Sequence, residues 1–249
     1  MINEYNPFSL RGKNVFVTGA SSGIGRSIAV ECSKMGATLC LTGRNEDRLQ
    51  ETLRNLVGNE HTFHVGDLTN ESDINRIVSE LPSLDGVIFS AGVNDKSLIK
   101  HLTSEKIQKV MGTNFISPAL TLKELTKQKK VTSGCSIVMI SSISAFYATI
   151  SNTLYAASKG ALDSMVRVAA LELASRKIRV NGIRPGVVAT PILDNYALKE
   201  NLDEFVKQVP LGRIAQPEDV ALGAVYLLSD ASSWMTGSVL TIDGGITLR

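Results

Sequence analysis

The chain is poor in cysteine, in aromatic residues and in long apolar runs, and each shortage removes a class of protein. Its three cysteines, Cys32, Cys40 and Cys135, are odd in number and widely spaced. They form neither a disulfide framework nor a C-x-x-C metal pair, a usage typical of an intracellular protein, and they read as buried small apolar side chains. No stretch approaches the ~18 uninterrupted apolar residues of a membrane span; Val220 to Leu228 falls far short. The opening Met1-Ile2-Asn3-Glu4-Tyr5-Asn6-Pro7 lacks a basic region followed by an apolar core, so no secretory signal is expected. Charge of one sign is scarce as well: 26 Lys+Arg face 24 Asp+Glu for a net +2, and aromatics make up 5%. A basic, aromatic footprint for nucleic acid is therefore missing. His61, His64 and His101 do not have metal-ligand spacing. These exclusions point to a soluble, cytoplasmic globular protein without metal, membrane or nucleic-acid partners.

What is present is a regular alternation. The 249 residues are 43% hydrophobic, enough to bury a core without disulfides or metals. Strands are predicted at Asn14 to Thr18, Thr38 to Thr42, Thr62 to Val65, Val87 to Phe89, Ile137 to Ser141, Arg179 to Ile183 and Val239 to Ile242. Between them, Ile24 to Met35 carries apolar residues at helical spacing and stops at Gly36. Further helices are predicted through Arg48 to Leu56, from Asn114 onward, from about Thr153 to Ala174, and from Pro217-Glu218-Asp219, where proline and acids suit a helix start. Near-continuous apolar strands joined by helical crossovers mean parallel pairing. The expected fold is α/β: a single doubly wound, Rossmann-like domain over residues 1–249. About seven parallel strands would carry helices on both faces, after a short N-terminal extension at 1–11.

The first strand runs into Thr18-Gly19-Ala20-Ser21-Ser22-Gly23-Ile24-Gly25. Glycines between a strand and a helix permit a tight turn, close backbone approach to a diphosphate, and free N–H groups at a helix start. The spacing is neither G-x-G-x-x-G nor a triphosphate loop, and an ordinary strand-to-helix turn is the bland alternative. About 20 residues on, an acid would select NAD and an arginine the extra phosphate of NADP. Here Gly43 holds the acidic position and Arg44 follows. A guanidinium binds phosphate bidentately, so NADP(H) is favoured over NAD(H). The competing reading has Arg44 pairing with the next helix start at Glu46 and Asp47.

Tyr155-Ala156-Ala157-Ser158-Lys159 sets a tyrosine and a lysine on one helical face. Carbonyl reduction needs a proton donor beside the oxygen, and the reverse oxidation needs a base. Free tyrosine, with a pKa near ~10, is too weakly acidic to supply that base at neutral pH. A lysine ammonium ~4 Å away offers up to about 4 kcal/mol at an effective dielectric near 20, a ceiling of about three pKa units. Alone, such a pair is commonly just a surface pair. Ser142, thirteen residues before Tyr155, strengthens it, because it falls where the fifth strand should end.

Thr-Gly-x-x-x-Gly-x-Gly, Ser142, Tyr155-x-x-x-Lys159, Asn114 in Gly112-Thr113-Asn114, Pro185-Gly186-Val187-Val188-Ala189-Thr190 and the closing Asp243-Gly244-Gly245 occur in one order. In this the chain resembles the short-chain dehydrogenase/reductase family from Gly12 to Gly245. It is similar to the members that act as 3-oxoacyl-acyl-carrier-protein reductases. The resemblance implies roles. Tyr155 would be the general acid/base, Lys159 would lower its pKa and hold the nicotinamide ribose, Ser142 would bond the substrate oxygen, and Asn114 would secure a water relaying protons from Lys159. Gly19, Ser21, Ser22, Gly23, Ile24 and Gly25 would cradle the diphosphate. Asp67 with Leu68 would meet adenine, Ala91 and Gly92 the ribose, and Pro185, Gly186, Val188 and Thr190 the carboxamide end.

Two departures stand out. Ser90 replaces the family's usual asparagine, which would leave a sheet-stabilising contact weaker or water-bridged, and Arg184 brings a long cation toward the cofactor side. A basic residue that NADP-preferring members often carry in the glycine turn is absent at Ser22. Residues from about 191 to 209 would form a substrate loop of mixed composition (Leu193, Tyr196, Phe205, Asp194, Lys199, Glu200) that names no ligand. A 3-oxoacyl thioester, a sugar, a steroid-like molecule or a simple ketone all stay open, as does an NAD-dependent alcohol or sugar dehydrogenase. An acyl carrier protein is left open as a partner by Lys127, Lys129, Lys130, Arg176 and Lys177, cations that otherwise just satisfy helix ends. Family resemblance also implies a homotetramer. An epimerase of the extended relatives is disfavoured because the chain ends shortly after Asp243. A non-catalytic dinucleotide sensor is disfavoured because Ser142, Tyr155 and Lys159 are all retained.

Overall fold

In the computed structural model, residues 5–191 and 202–248 are described. The first half alternates β1 (Asn14–Thr18), α1 (Gly23–Lys34), β2 (Thr38–Gly43), α2 (Glu46–Arg54), β3 (Thr62–Val65), α3 (Glu71–Glu80) and β4 (Leu84–Phe89). Then follow α4 (Ser104–Met111), a π-helical turn (Gly112–Ile116), α5 (Ser117–Lys127), β5 (Val131–Ile140) and α6 (Thr153–Leu173). The chain closes through β6 (Arg179–Pro185), α7 (Leu202–Gln208), α8 (Pro217–Leu228) and β7 (Val239–Ile242). The seven strands form one parallel sheet in the order β3-β2-β1-β4-β5-β6-β7.

The period-two alternation of strand side chains builds a core on each face. Val15, Val17, Leu39, Leu41, Ile88, Val138 and Ile183 point to one face, against Ile28 and Cys32 of α1 and Val220, Ala224 and Leu228 of α8. Phe16, Cys40, Val87, Phe89, Ile137, Met139 and Val180 point to the other, against Ile77 of α3, Leu125 of α5 and Leu162 and Val166 of α6. Burial on both faces explains the near-continuous apolar strands. All three cysteines are buried, as expected. Trp234 is fully exposed on the chain, whereas Met235 packs against the first core.

Several sequence expectations are corrected. Asn114 does not begin a helix: it lies in the π-turn linking α4 to α5. β4 and β5 are longer than predicted, because Leu84 and Val131 pair ahead of a register shift before Gly86. Residues 192–201 of the expected substrate loop lie outside the described residues, but 202–208 of that segment form helix α7. Lys130 is spent locally, donating to the carbonyls of Ser79 and Leu81 at the end of α3, and Arg176 donates to Val131 O at 2.6 Å. Lys130 thus plays the helix-end role of such cations, while Arg176 ties the start of β5.

Phe16 is the largest of the fully buried side chains. Phe16→Ala is expected to cost about 3–5 kcal/mol, read as a lower urea midpoint with an unchanged m-value.

Candidate active site

The strand order reverses between β1 and β4, and in such sheets ligands bind beyond the carboxyl ends at that point. A cleft of about 480 Å³ lies there. Gly19 turns the chain at φ +67°, and a Cβ on it would come 2.8 Å from Cα and N of Ala91 at the end of β4. Only glycine lets the turn approach the neighbouring strand so closely. Thr18 ties the same two ends, its Oγ1 accepting from the N–H groups of Ser90 (3.1 Å) and Ala91 (3.3 Å). A Cβ on Gly25 would collide with the Gly19 carbonyl oxygen. α1 therefore starts tight against the turn, and its N-cap Ser22 makes no side-chain capping bond. The positive end of the helix is left facing the cleft, open to an anion. Ser21, Ser22, Gly23 and Ile24 line the cleft beside it.

Polar clamps fix the turn from behind. Arg26 donates to Ser21 O at 2.7 Å and bidentately to Glu51 at 2.8 and 2.9 Å, and Thr52 Oγ1 donates to Ala20 O at 2.9 Å. At the end of β2, Gly43 and Arg44 face the same space. Arg44 is two-thirds exposed and pairs with Asp67 at 3.9 Å. The start of α2 is capped instead by Asn45, whose side chain accepts from Arg48 N at 2.9 Å. Among the described residues, Arg44 makes no ion pair with Glu46 or Asp47, so its alternative role does not materialise. Asp67 accepts from Thr69 N and Oγ1 at 3.0 and 2.8 Å, and Leu68 lies beside it in the cleft wall.

The other end of the cleft is chemical. β5 stops at Ile140, and its carbonyl accepts a 2.8 Å hydrogen bond from Lys159 Nζ. Ser141 Oγ donates to Lys159 O at 3.2 Å, joining β5 to α6. Lys159 Nζ stands 5.5 Å from the centroid of the Tyr155 ring, and Ser142, Tyr155 and Lys159 line one wall. Ser142 Oγ accepts from Ser144 N at 3.1 Å, leaving its own hydrogen to donate elsewhere. Burial pushes Lys159 down to about 8, while the Asp163 carboxylate opposes the fall. Ala91, Gly92, Pro185, Gly186, Val188 and Thr190 complete the lining, with the Thr190 methyl 3.2 Å from where a Cβ on Gly23 would stand.

Asn114 alone among the predicted site residues does not line the cleft. It is fully buried, with Oδ1 accepting from Val93 N at 2.8 Å and Nδ2 donating to Val93 O and Ser158 Oγ at 2.9 and 3.0 Å. A Cβ on Gly92 would be 3.5 Å from both Asn114 Oδ1 and Lys159 Nζ, so Asn114 backs the wall opposite the lysine. Arg184 is the second correction. It does not reach the cleft, because its Nε donates to the buried Asp163 at 2.7 Å. Glycine cradle, helix N-terminus, exposed arginine and lysine-backed tyrosine fit a nicotinamide dinucleotide laid from Arg44 to Thr190.

A family profile described as enoyl-(acyl carrier protein) reductase matches residues 19–247. The chain belongs to the short-chain dehydrogenase/reductase family. It is 31% identical over 239 residues to the 3-oxoacyl-[acyl-carrier-protein] reductase of Rickettsia felis, covering 96% of this chain and 98% of the relative. It is 33% identical over 249 residues to the glucose 1-dehydrogenase of Gluconobacter oxydans, covering 95% and 92%. A proposed NAD(P)-dependent gluconate 5-dehydrogenase of Beutenbergia cavernae, solved with NADP at low occupancy, superposes with a TM-score of 0.88 at 30% identity, covering 98% of this chain and 100% of that one. As a family member the chain is an NAD(P)-dependent oxidoreductase.

For this short-chain dehydrogenase/reductase, part of the cleft wall lies outside the residues that the motifs single out. Ser144, Tyr147, Asn152, Lys96, Phe205 and Ile246 line it. Asn94 Nδ2 donates to Asn152 Oδ1 at 3.3 Å, and Asn152 Nδ2 to Ser144 Oγ at 3.0 Å. Ser144, Tyr147 and Asn152 share the β5–α6 connection and Phe205 belongs to α7, and no motif in the chain marks them.

The position of Lys159 has a pH consequence. Its ammonium is lost as pH rises past about 8, well below the ordinary lysine range. The alkaline limb of kcat/KM, which reports the free enzyme, is therefore expected at about pH 8. A profile that stays flat to the ordinary lysine range would contradict it.

Proposed function

We propose that the chain is an NADP(H)-dependent oxidoreductase that moves hydride between nicotinamide and a carbonyl or secondary alcohol, with Tyr155 as general acid/base. The observation that carries this is the convergence of Ser142, Tyr155 and a buried Lys159 on the wall of a cleft that begins in a glycine cradle. The dinucleotide, when bound, supplies the hydride at nicotinamide C4. The rest falls to this chain's own residues. In reduction the Tyr155 hydroxyl gives its proton to the substrate oxygen, and in oxidation it takes one from the alcohol. The Lys159 ammonium beside the ring favours the phenolate in a site where water screens little. Ser142 Oγ donates to the substrate oxygen and aligns it with Tyr155. Asn114 acts indirectly: by pinning Val93 to Ser158 it keeps the wall against Lys159 in register.

Support for NADP(H) comes from Arg44. It is exposed, its pair with Asp67 is long and solvent-screened, and Gly43 brings no carboxylate to repel a phosphate. Within the carbonyl class, the Rickettsia felis relative favours a 3-oxoacyl thioester. A second reading, a sugar or polyol dehydrogenase, is favoured by the amide and hydroxyl chain of Asn94, Asn152 and Ser144 at the open end. Such groups suit a substrate with several hydroxyls.

The test is NADPH consumption with 3-oxoacyl thioesters and keto-sugars. Tyr155→Phe is expected to lose at least about a hundredfold in kcat, and turnover that survives the change sinks the mechanism. Arg44→Asp is expected to lower kcat/KM for NADPH about tenfold or more while sparing NADH. If NADH already outperforms NADPH in the wild type, the cofactor assignment fails.

A further inference from the structure

Tyr155, Lys159 and Asp163 follow one another at four-residue intervals along α6, so the helix carries all three on one face. Tyr155 and Lys159 line the cleft, while Asp163 sits one turn further on with only 5% of its side chain exposed. A buried carboxylate calls for a cationic partner. Its Oδ2 accepts from Arg184 Nε at 2.7 Å, and Oδ1 has no hydrogen-bond partner among the described residues. Arg184 lies near the end of β6, just before Pro185 of the cleft wall. Its guanidinium carbon stands 5.0 Å over the ring of Phe146, four residues beyond Ser142. One buried ion pair thus links the helix bearing Tyr155 and Lys159, the strand bearing Pro185 and the turn bearing Ser142.

We propose that Asp163, paired with Arg184, is a positioning residue that acts as the counter-ion of Lys159 and holds its ammonium charged behind Tyr155. The inference rests on the roles of Tyr155 and Lys159 given above. Lys159 Nζ has three protons to satisfy, and the hydrogen bond in hand goes to the neutral Ile140 carbonyl. Burial alone strips charge from such an ammonium, and Asp163 is the group that works against it.

The groups facing Lys159 from each packed element are few. α6 contributes Tyr155 and Asp163, and β6 contributes Arg184 by way of Asp163. The end of β5 brings the Ile140 carbonyl and the hydroxyls of Ser141 and Ser142, and the π-turn brings the Asn114 amide. Tyr147 and Lys96 line the same cleft from its open end. Among these, Asp163 is the one carboxylate. A pair needed for packing alone could be replaced by neutral groups of the same shape, but those would leave Lys159 without its counter-charge.

The experiment is the pH profile of kcat/KM for alcohol oxidation in the full-length enzyme, for wild type, Asp163→Asn, Arg184→Lys and the double variant Asp163→Asn/Arg184→Gln. The wild type should lose activity on an alkaline limb that follows Lys159. Asp163→Asn should move the alkaline limb down by about one pH unit and lower activity at the wild-type optimum. Arg184→Lys, which keeps the cation beside Asp163, should leave the limb near its wild-type position. The double variant removes both charges and leaves neither one buried alone, so it should fold even if the single variant does not, and it should shift the limb down by less than Asp163→Asn does, because the repelling Arg184 charge goes too. An unmoved alkaline limb in the double variant, or in a folded Asp163→Asn, overturns the proposal. That outcome differs from failure of the underlying reading, in which Tyr155→Phe would keep its turnover.

Discussion

Because neighbouring strands of this sheet all run parallel, each connection must carry the chain back across a face, and all seven carboxyl ends gather along one edge. The crossing helices bury both faces, which is why Phe16 and Val17, adjacent in sequence, belong to different cores. The reversal of strand order between β1 and β4 opens a crevice on the shared edge. The groups expected to hold the dinucleotide and carry the chemistry are brought there by strand ends, the loops after them and the first turns of the following helices. Gly19 follows β1, Arg44 follows β2, Gly92 follows β4, Ser142 follows β5, and Gly186 follows β6.

The crevice has two kinds of wall. At the dinucleotide end it is backbone, brought close by glycines and held by groups outside the cleft: the Arg26–Glu51 pair, Thr52 on Ala20, and Thr18 on Ser90 and Ala91. At the chemical end it is charge under low dielectric. Lys159 is buried, its nitrogen bonded to a strand-end carbonyl, with the Asp163–Arg184 pair one turn away. The first wall is rigid backbone, and the second sets a buried charge beside it. Charge screened by water would do less, since an exposed pair is worth little.

Much of this was legible in the chain. Strand and helix alternation predicted the sheet, since residues buried on both faces leave apolar runs that survive in one dimension. Gly19, Gly23, Gly25, Ser142, Tyr155 and Lys159 were legible because each sits at a motif with a local geometric need. The π-turn at Gly112–Ile116 was not, because its shift in hydrogen bonding leaves no periodic mark over five residues. Nor was the fate of Arg184, read as a cation near the cofactor: its partner Asp163 is 21 residues away and meets it only once α6 packs on β6. Helix α7, taken as part of a loop, shows how weak a seven-residue pattern is beside a mixed composition.

By itself the sequence determined the class of fold, the place of the glycine turn and the pairing of Tyr155 with Lys159 on one helix face. Each depends on residues close together in the chain, where spacing alone dictates which side chains share a face. Only the tertiary structure decided that Asn114 backs the wall without lining it, that Arg44 is unclaimed by α2, and that a buried carboxylate stands behind the lysine. Those outcomes depend on contacts between distant segments and on exclusion of water, and neither is written in local spacing.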